Sequence, residues 1–146
     1  LLDLLDAAQV EPSRLRIEIT EVALLDDAPR TSESLNMLRE HGVLAQLDDF
    51  GTGFSALSYL HRFPIASLKI DRSFVSGLDG DVRTESVAVI RAIVALANSL
   101  NIEIIAEGVE TQRQRERLHD LGCTYAQGYL FGRPAPPSAA LPPPAA

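Results

Sequence analysis

Leu47-Asp48-Asp49-Phe50-Gly51-Thr52-Gly53-Phe54 is the stretch on which the fold turns. It follows the apolar run Val43-Leu44-Ala45, as a buried strand runs into a loop, and Gly51 and Gly53 free the backbone where that strand ends. In α/β folds, sites sit at such strand-to-loop junctions. Adjacent ionised carboxylates repel, so if Asp48 and Asp49 converge on one pocket, either one binds a proton or a cation sits between them. Read alone, Asp-Asp-x-Gly fits turn and N-cap chemistry equally well.

Upstream, a helix from Leu1 to about Ala8 is stopped by Pro12, and Leu15-Arg16-Ile17-Glu18-Ile19-Thr20-Glu21 alternates as a strand with Glu18 and Thr20 on one side. A helix from Thr31 to Glu40 follows, with Leu35 and Leu38 on one face and Gly42 as its stop. Downstream, Phe54, Leu57 and Leu60 fall at helical spacing until Pro64, and Ser67 to Asp71 makes a third strand. Val87, Ile90, Ile93, Val94, Ala97 and Leu100 form the apolar stripe of a helix over 84–100. Ile102 to Glu107 is a fourth strand, and Thr111-Gln112-Arg113-Gln114 a capping box opening a helix that runs through Leu118 and Leu121 to Gly122. Thr124 to Tyr129 gives a fifth strand. From Arg133 on, six of the nine prolines lie among Ala and Ser, which predicts a disordered tail over 135–146.

Strand and helix in strict alternation imply right-handed crossovers and a parallel sheet. All the C-terminal strand ends then share one edge, which gathers Glu18, Glu21, Asp48, Asp49, Lys69, Asp71, Glu107, Glu110 and Gln127. One acidic strand end is ordinarily a solvated turn, but five polar ends on one rim are costly unless they share a ligand. An inventory rich in carboxylates and free of histidine suits hard divalent cations such as Mg²⁺ or Mn²⁺. His41, His61 and His119 sit near helix ends without ligand spacing and read as solvated.

Composition narrows the classes. With 146 residues, 46% of them hydrophobic, the chain has the length of one ordinary globular domain. No apolar run reaches membrane-spanning length and no signal peptide opens the sequence, which predicts a cytoplasmic segment without membrane contact. Leu1-Leu2-Asp3-Leu4-Leu5 lacks an initiator Met and begins inside an amphipathic pattern, as a piece of a longer protein would. A formal net charge of −7 argues against non-specific nucleic-acid binding, and any phosphate substrate would need cations to approach the acidic rim. The single Cys123 excludes an intramolecular disulfide, suits a reducing compartment and reads as a small buried hydrophobe.

Gly51-Thr52-Gly53-Phe54-Ser55-Ala56 also fits the G-x-G-x-x-G/A pattern of dinucleotide-binding folds, with Asp71 downstream of it. Electrostatics count against that reading, because Asp48 and Asp49 would repel a pyrophosphate on the loop unless metal intervened.

Glu18-Ile19-Thr20-Glu21, Asp48-Asp49-Phe50-Gly51-Thr52-Gly53, Lys69-Ile70-Asp71-Arg72-Ser73-Phe74, Ala106-Glu107-Gly108-Val109-Glu110 and Gln127-Gly128-Tyr129-Leu130-Phe131-Gly132-Arg133-Pro134 resemble, in order, the successive signatures of the EAL-domain family. The resemblance implies a bacterial hydrolase that cleaves cyclic di-GMP to linear pGpG with two Mg²⁺ or Mn²⁺ ions on a modified TIM barrel. It also implies a possible homodimer that follows sensory or GGDEF domains in the parent chain. By the same resemblance, Glu18 and Asp48 are ligands of the first metal, and Asp48, Asp49 and Asp71 serve the second. Glu107 is the general base or a ligand of the attacking water, Lys69 positions that water, and Gln127 supports it. Glu21 holds the loop after Asp49, and Glu110 has a supporting place. Two metals bridged by a carboxylate generate hydroxide, orient an in-line attack and neutralise the phosphate, while Lys69 adds positive charge where the transition state gathers negative charge.

The family's Glu-Ala-Leu motif and the Asn-containing strand after it do not occur in the sequence, and each would supply a ligand to the first metal. Five strands read from the sequence, where a closed barrel of about 250 residues uses eight, so residues 1–134 read as the C-terminal portion of such a domain, with the first three strands missing. Phe54 stands where the family has Tyr, and Gln46 lies in a strand that is apolar elsewhere. The alternatives are a module that binds cyclic di-GMP without cleaving it, or an inactive truncated fragment.

Overall fold

The structure is a computed structural model and describes residues 1–51, 60–79 and 84–136. Helix α1 (Leu2–Ala7) and a 3₁₀ turn (Pro12–Arg14) lead into β1 (Arg16–Thr20). Helices α2 (Glu21–Asp26) and α3 (Ala28–Glu40) carry the chain to β2 (Leu44–Phe50), and β3 (Ile65–Ile70) follows. Helices α4 (Arg72–Ser76) and α5 (Thr84–Leu100) join β3 to β4 (Glu103–Ala106), and α6 (Gln112–Asp120) joins β4 to β5 (Tyr125–Ala126). The strands form one sheet in chain order, and every neighbouring pair is parallel.

Alternation assigns the two faces of the sheet. Ala45, Leu47, Leu68, Ile70, Ile104 and Ala106 are buried in the core with Ile90, Ile93, Val94, Ala97 and Leu118 of the helices. The intervening positions put Glu18, Gln46, Asp48, Ser67 and Lys69 on the other face. There Gln46 Nε2 donates to Ser67 Oγ at 2.7 Å, which satisfies two buried polar groups and explains how a glutamine is tolerated inside β2.

Several expectations need correction. Alternation is not strict, because two crossovers carry two helices each. Helix α3 starts at Ala28 rather than Thr31, because Asp27 caps it through the Arg30 N–H at 3.4 Å and Pro29 suits its first turn. The strand through Asp48 contains both aspartates and ends at Phe50, but it is irregular, with its ladder broken between Leu47 and Phe50 and Asp49 at φ 53°. The fifth strand is only two residues long, because the chain turns at Gly128. Phe54, Leu57, most of the helix drawn through them, Gly53 of the glycine pattern and residues 137–146 of the tail lie outside the described residues. Cys123 is buried, which pushes its thiol up to about 11, and His41, His61 and His119 are exposed.

Candidate metal centre

Lys69 organises the rim. Its side chain, only 4% exposed, places Nζ at 2.7 Å from Glu18 Oε1, 3.2 Å from Asp48 Oδ1 and 2.6 Å from Glu107 Oε1. One cation on β3 thus ties β1, β2 and the exit of β4 together. Burial alone would lower the pKa of the ammonium, but the hydrogen bonds it donates to Glu107, Glu18 and Asp48 outweigh it and hold the group above the ordinary lysine range. Glu107 also ends above its ordinary value. Its burial disfavours the charge more than Lys69, shared among three carboxylates, restores it, and the charges of Asp48 and Glu18 push the same way.

Each of these side chains is aimed by backbone geometry. The β2 irregularity turns Asp49 through a left-handed conformation, and its N–H donates to Asp48 Oδ1 at 3.0 Å. Oxygens of Asp48, Asp49 and Glu107 consequently lie within 4.8 Å of one another. Among the described residues this is the one group of three with cation-binding spacing, and its all-oxygen donor set fits a hard divalent cation. Glu107 leaves β4 with its N–H on Ile70 O at 3.1 Å, and Gln127 leaves β5 with its N–H on Ala106 O at 2.8 Å. The two exits therefore run side by side, and Gln127 Nε2 donates to Glu107 Oε1 at 2.7 Å.

The remaining candidates lie outside that group of three. Asp71 caps α4, accepting from Ser73 N–H at 3.0 Å, and Glu18 spends Oε1 on Lys69. Glu110 faces Arg72 at 2.9 Å. Glu21 is buried at the start of α2, but the loop assigned to it falls largely outside the described residues. Sequence reasoning missed Arg72 as the partner of Glu110, and Arg133, which stacks over the Tyr129 ring at 4.6 Å. Pattern gives no sign of the first, whereas the spacing of Tyr129 and Arg133 along the chain exit could have suggested the second.

A family model for the EAL domain matches residues 1–134. The chain belongs to the EAL-domain family. This EAL-domain chain is 48% identical over 127 residues to the bifunctional diguanylate cyclase/cyclic di-GMP phosphodiesterase MucR of Pseudomonas aeruginosa, covering 87% of this chain and 18% of that protein. It is 45% identical over 133 residues to the cyclic di-GMP phosphodiesterase RocR of the same species, covering 91% and 33%. It superimposes on the PaMucR phosphodiesterase in complex with c-di-GMP with a TM-score of 0.87 at 45% identity, covering 94% of this chain and 55% of that one. On the manganese/cy-diGMP complex of Klebsiella pneumoniae BlrP1 the TM-score is 0.82 at 34% identity, covering 91% and 33%. The five parallel strands are thus part of an EAL domain, and the chain spans about a fifth to a third of these curated relatives. Among the described residues no helix is long and apolar enough to cross a membrane.

Proposed function

We propose that this chain carries much of the catalytic rim of a metal-dependent phosphodiesterase that hydrolyses cyclic di-GMP to linear pGpG in bacterial second-messenger signalling. The observation that carries the reading is the nearly buried Lys69 held by Glu18, Asp48 and Glu107, beside the cation-sized cluster of Asp48, Asp49 and Glu107. On this reading, Glu18, Asp48, Asp49 and Asp71 would hold two Mg²⁺ or Mn²⁺ ions. The bound ions supply a water acidic enough to attack at neutral pH and charge to neutralise the phosphate. Glu107, whose pKa is raised by burial, would accept a proton from the attacking water, and Gln127 and Lys69 fix its carboxylate. Lys69 also sets a permanent positive charge where the opening phosphodiester gathers negative charge. The same reading places the domain in the cytoplasm, as a homodimer, after sensory or GGDEF domains of the same protein.

The test is metal-titrated hydrolysis of cyclic di-GMP by the complete protein and by its Asp48→Asn and Asp49→Asn variants. Each variant is expected to lose about 100-fold in metal affinity or turnover with an unchanged melting temperature, Asp48→Asn the more severely. Near-wild-type turnover of Asp48→Asn at limiting Mg²⁺ would overturn the assignment and leave the turn reading of the two aspartates.

A further inference from the structure

We infer that Gln114, on the first turn of α6, is a positioning residue for Glu107; the inference rests on the phosphodiesterase reading above. Glu107 opens a turn over 107–111 whose backbone donors need partners. The N–H of Glu107 finds Ile70 O and that of Val109 finds Gln127 O at 3.0 Å, both on the sheet side. The N–H groups of Glu110 and Thr111 both go to one atom, Gln114 Oε1, at 2.8 Å and 3.0 Å. A capping box accounts only for the second of these bonds, in which the N3 side chain reaches back to the N-cap amide. The bond to Glu110 lies outside the box and extends the hold of α6 into the turn itself. Gln114 is 5% exposed, so water replaces its oxygen poorly. Arg72 pins the far side: its Nη2 binds Glu110, and its stem lies so close to Gly108, at φ 68°, that a Cβ there would come within 2.4 Å of Arg72 Cγ.

The Glu107 carboxylate is therefore set from three sides, by Lys69, by Gln127 and by a turn fastened to α6 through one buried amide oxygen. A reacting group displaced by about 1 Å can cost about 100-fold in rate without a change in binding.

Three variants of the complete protein separate positioning from plain helix capping. Gln114→Met keeps the volume and loses the acceptor, Gln114→Glu keeps an acceptor, and Thr111→Ala removes the other half of the box, the Thr111 Oγ1 acceptor of the Gln114 N–H at 3.1 Å. With cyclic di-GMP and Mg²⁺, Gln114→Met should lower kcat by roughly 10- to 100-fold with KM within about two-fold. Gln114→Glu should recover most of that loss, and Thr111→Ala should keep kcat near wild type at a similarly lowered melting temperature. Amide hydrogen exchange gives a second readout: Glu107, Glu110 and Thr111 should lose protection in Gln114→Met and not in Thr111→Ala. Equal kcat losses in Gln114→Met and Thr111→Ala, a change in KM alone, or unaltered protection at Glu107 would overturn the inference. If the wild-type protein does not hydrolyse cyclic di-GMP, the phosphodiesterase reading fails by itself, and exchange at the Glu107 amide decides whether Gln114 positions it.

Discussion

Burial raises the pKa of Glu107 above the ordinary glutamate value of 4.5, although Lys69 lies 2.6 Å away. A raised folded-state pKa means that the folded protein holds this proton more tightly than the unfolded chain does. Stability from this group is thus present at low pH and falls as pH rises from 4.5 through the raised value. At neutral pH the ionised carboxylate is a burden on the fold. In the presence of EDTA, Glu107→Gln is therefore expected to raise the melting temperature by a few degrees at pH 7.5 and to flatten that slope, through the same change that removes the proposed base. Thermal unfolding between pH 4 and pH 8 checks it, and a lower melting temperature for the variant at pH 7.5 would refute it. None of this could be read from the sequence. Glu107, Lys69 and the aspartates could be assigned to one rim, but which carboxylate shares the lysine, and how deeply each is buried, depends on the register and packing of the strands around β3.

At the scale of elements, the exits of β4 and β5 depend on a close approach at Gly128. A Cβ there would meet the Val109 carbonyl oxygen at 2.2 Å and its nitrogen at 2.3 Å, and these are backbone atoms that cannot swing aside. Gly128→Ala is expected to cost about 3 kcal/mol of stability, measured by urea unfolding, and to pull Gln127 off Glu107. A cost below about 1 kcal/mol would mean that the exits can separate freely. The long elements were legible because their signals repeat: the stripe of α5 returns Ile90, Ile93, Val94 and Ala97 to the core, and the Thr111–Gln114 box is formed in full. Helices α2 and α4 were missed because they start directly at their strand ends, capped by Thr20 and Asp71, which were read as part of the strands. The aspartates were legible as the end of a strand, with a turn as an equal reading of the same residues; what could not be read was that Asp49 takes a left-handed conformation where the ladder to β3 is broken between Leu47 and Phe50.

For the whole molecule, the sheet is open among the described residues: β1 and β5 each have one strand partner. Both edges offer unpaired backbone groups, and the Glu18 side chain beside the β1 edge is 51% exposed. The 146-residue chain produced alone is expected to unfold at modest temperature, to self-associate as its concentration rises, and to hydrolyse cyclic di-GMP negligibly. Sedimentation and thermal unfolding at two concentrations test this, and a cooperative, concentration-independent monomer with metal-dependent activity would contradict it. The parallel order of the strands was legible because a helical pattern separates successive strand patterns along the sequence. The contact of Lys69 with Glu18, two strands away, was not, because it depends on how neighbouring strands are set against one another rather than on any local pattern. The long reach of that lysine bears on how the protein is made. Glu18 stands 51 residues before the ammonium that neutralises it, so a ribosome releases the carboxylates of Glu18 and Asp48 before their shared counter-charge. Until β3 arrives, pairing β1 with β2 brings like charges together and gains little, so the first three strands should settle as one cooperative unit, with the lysine acting as the latch that closes it.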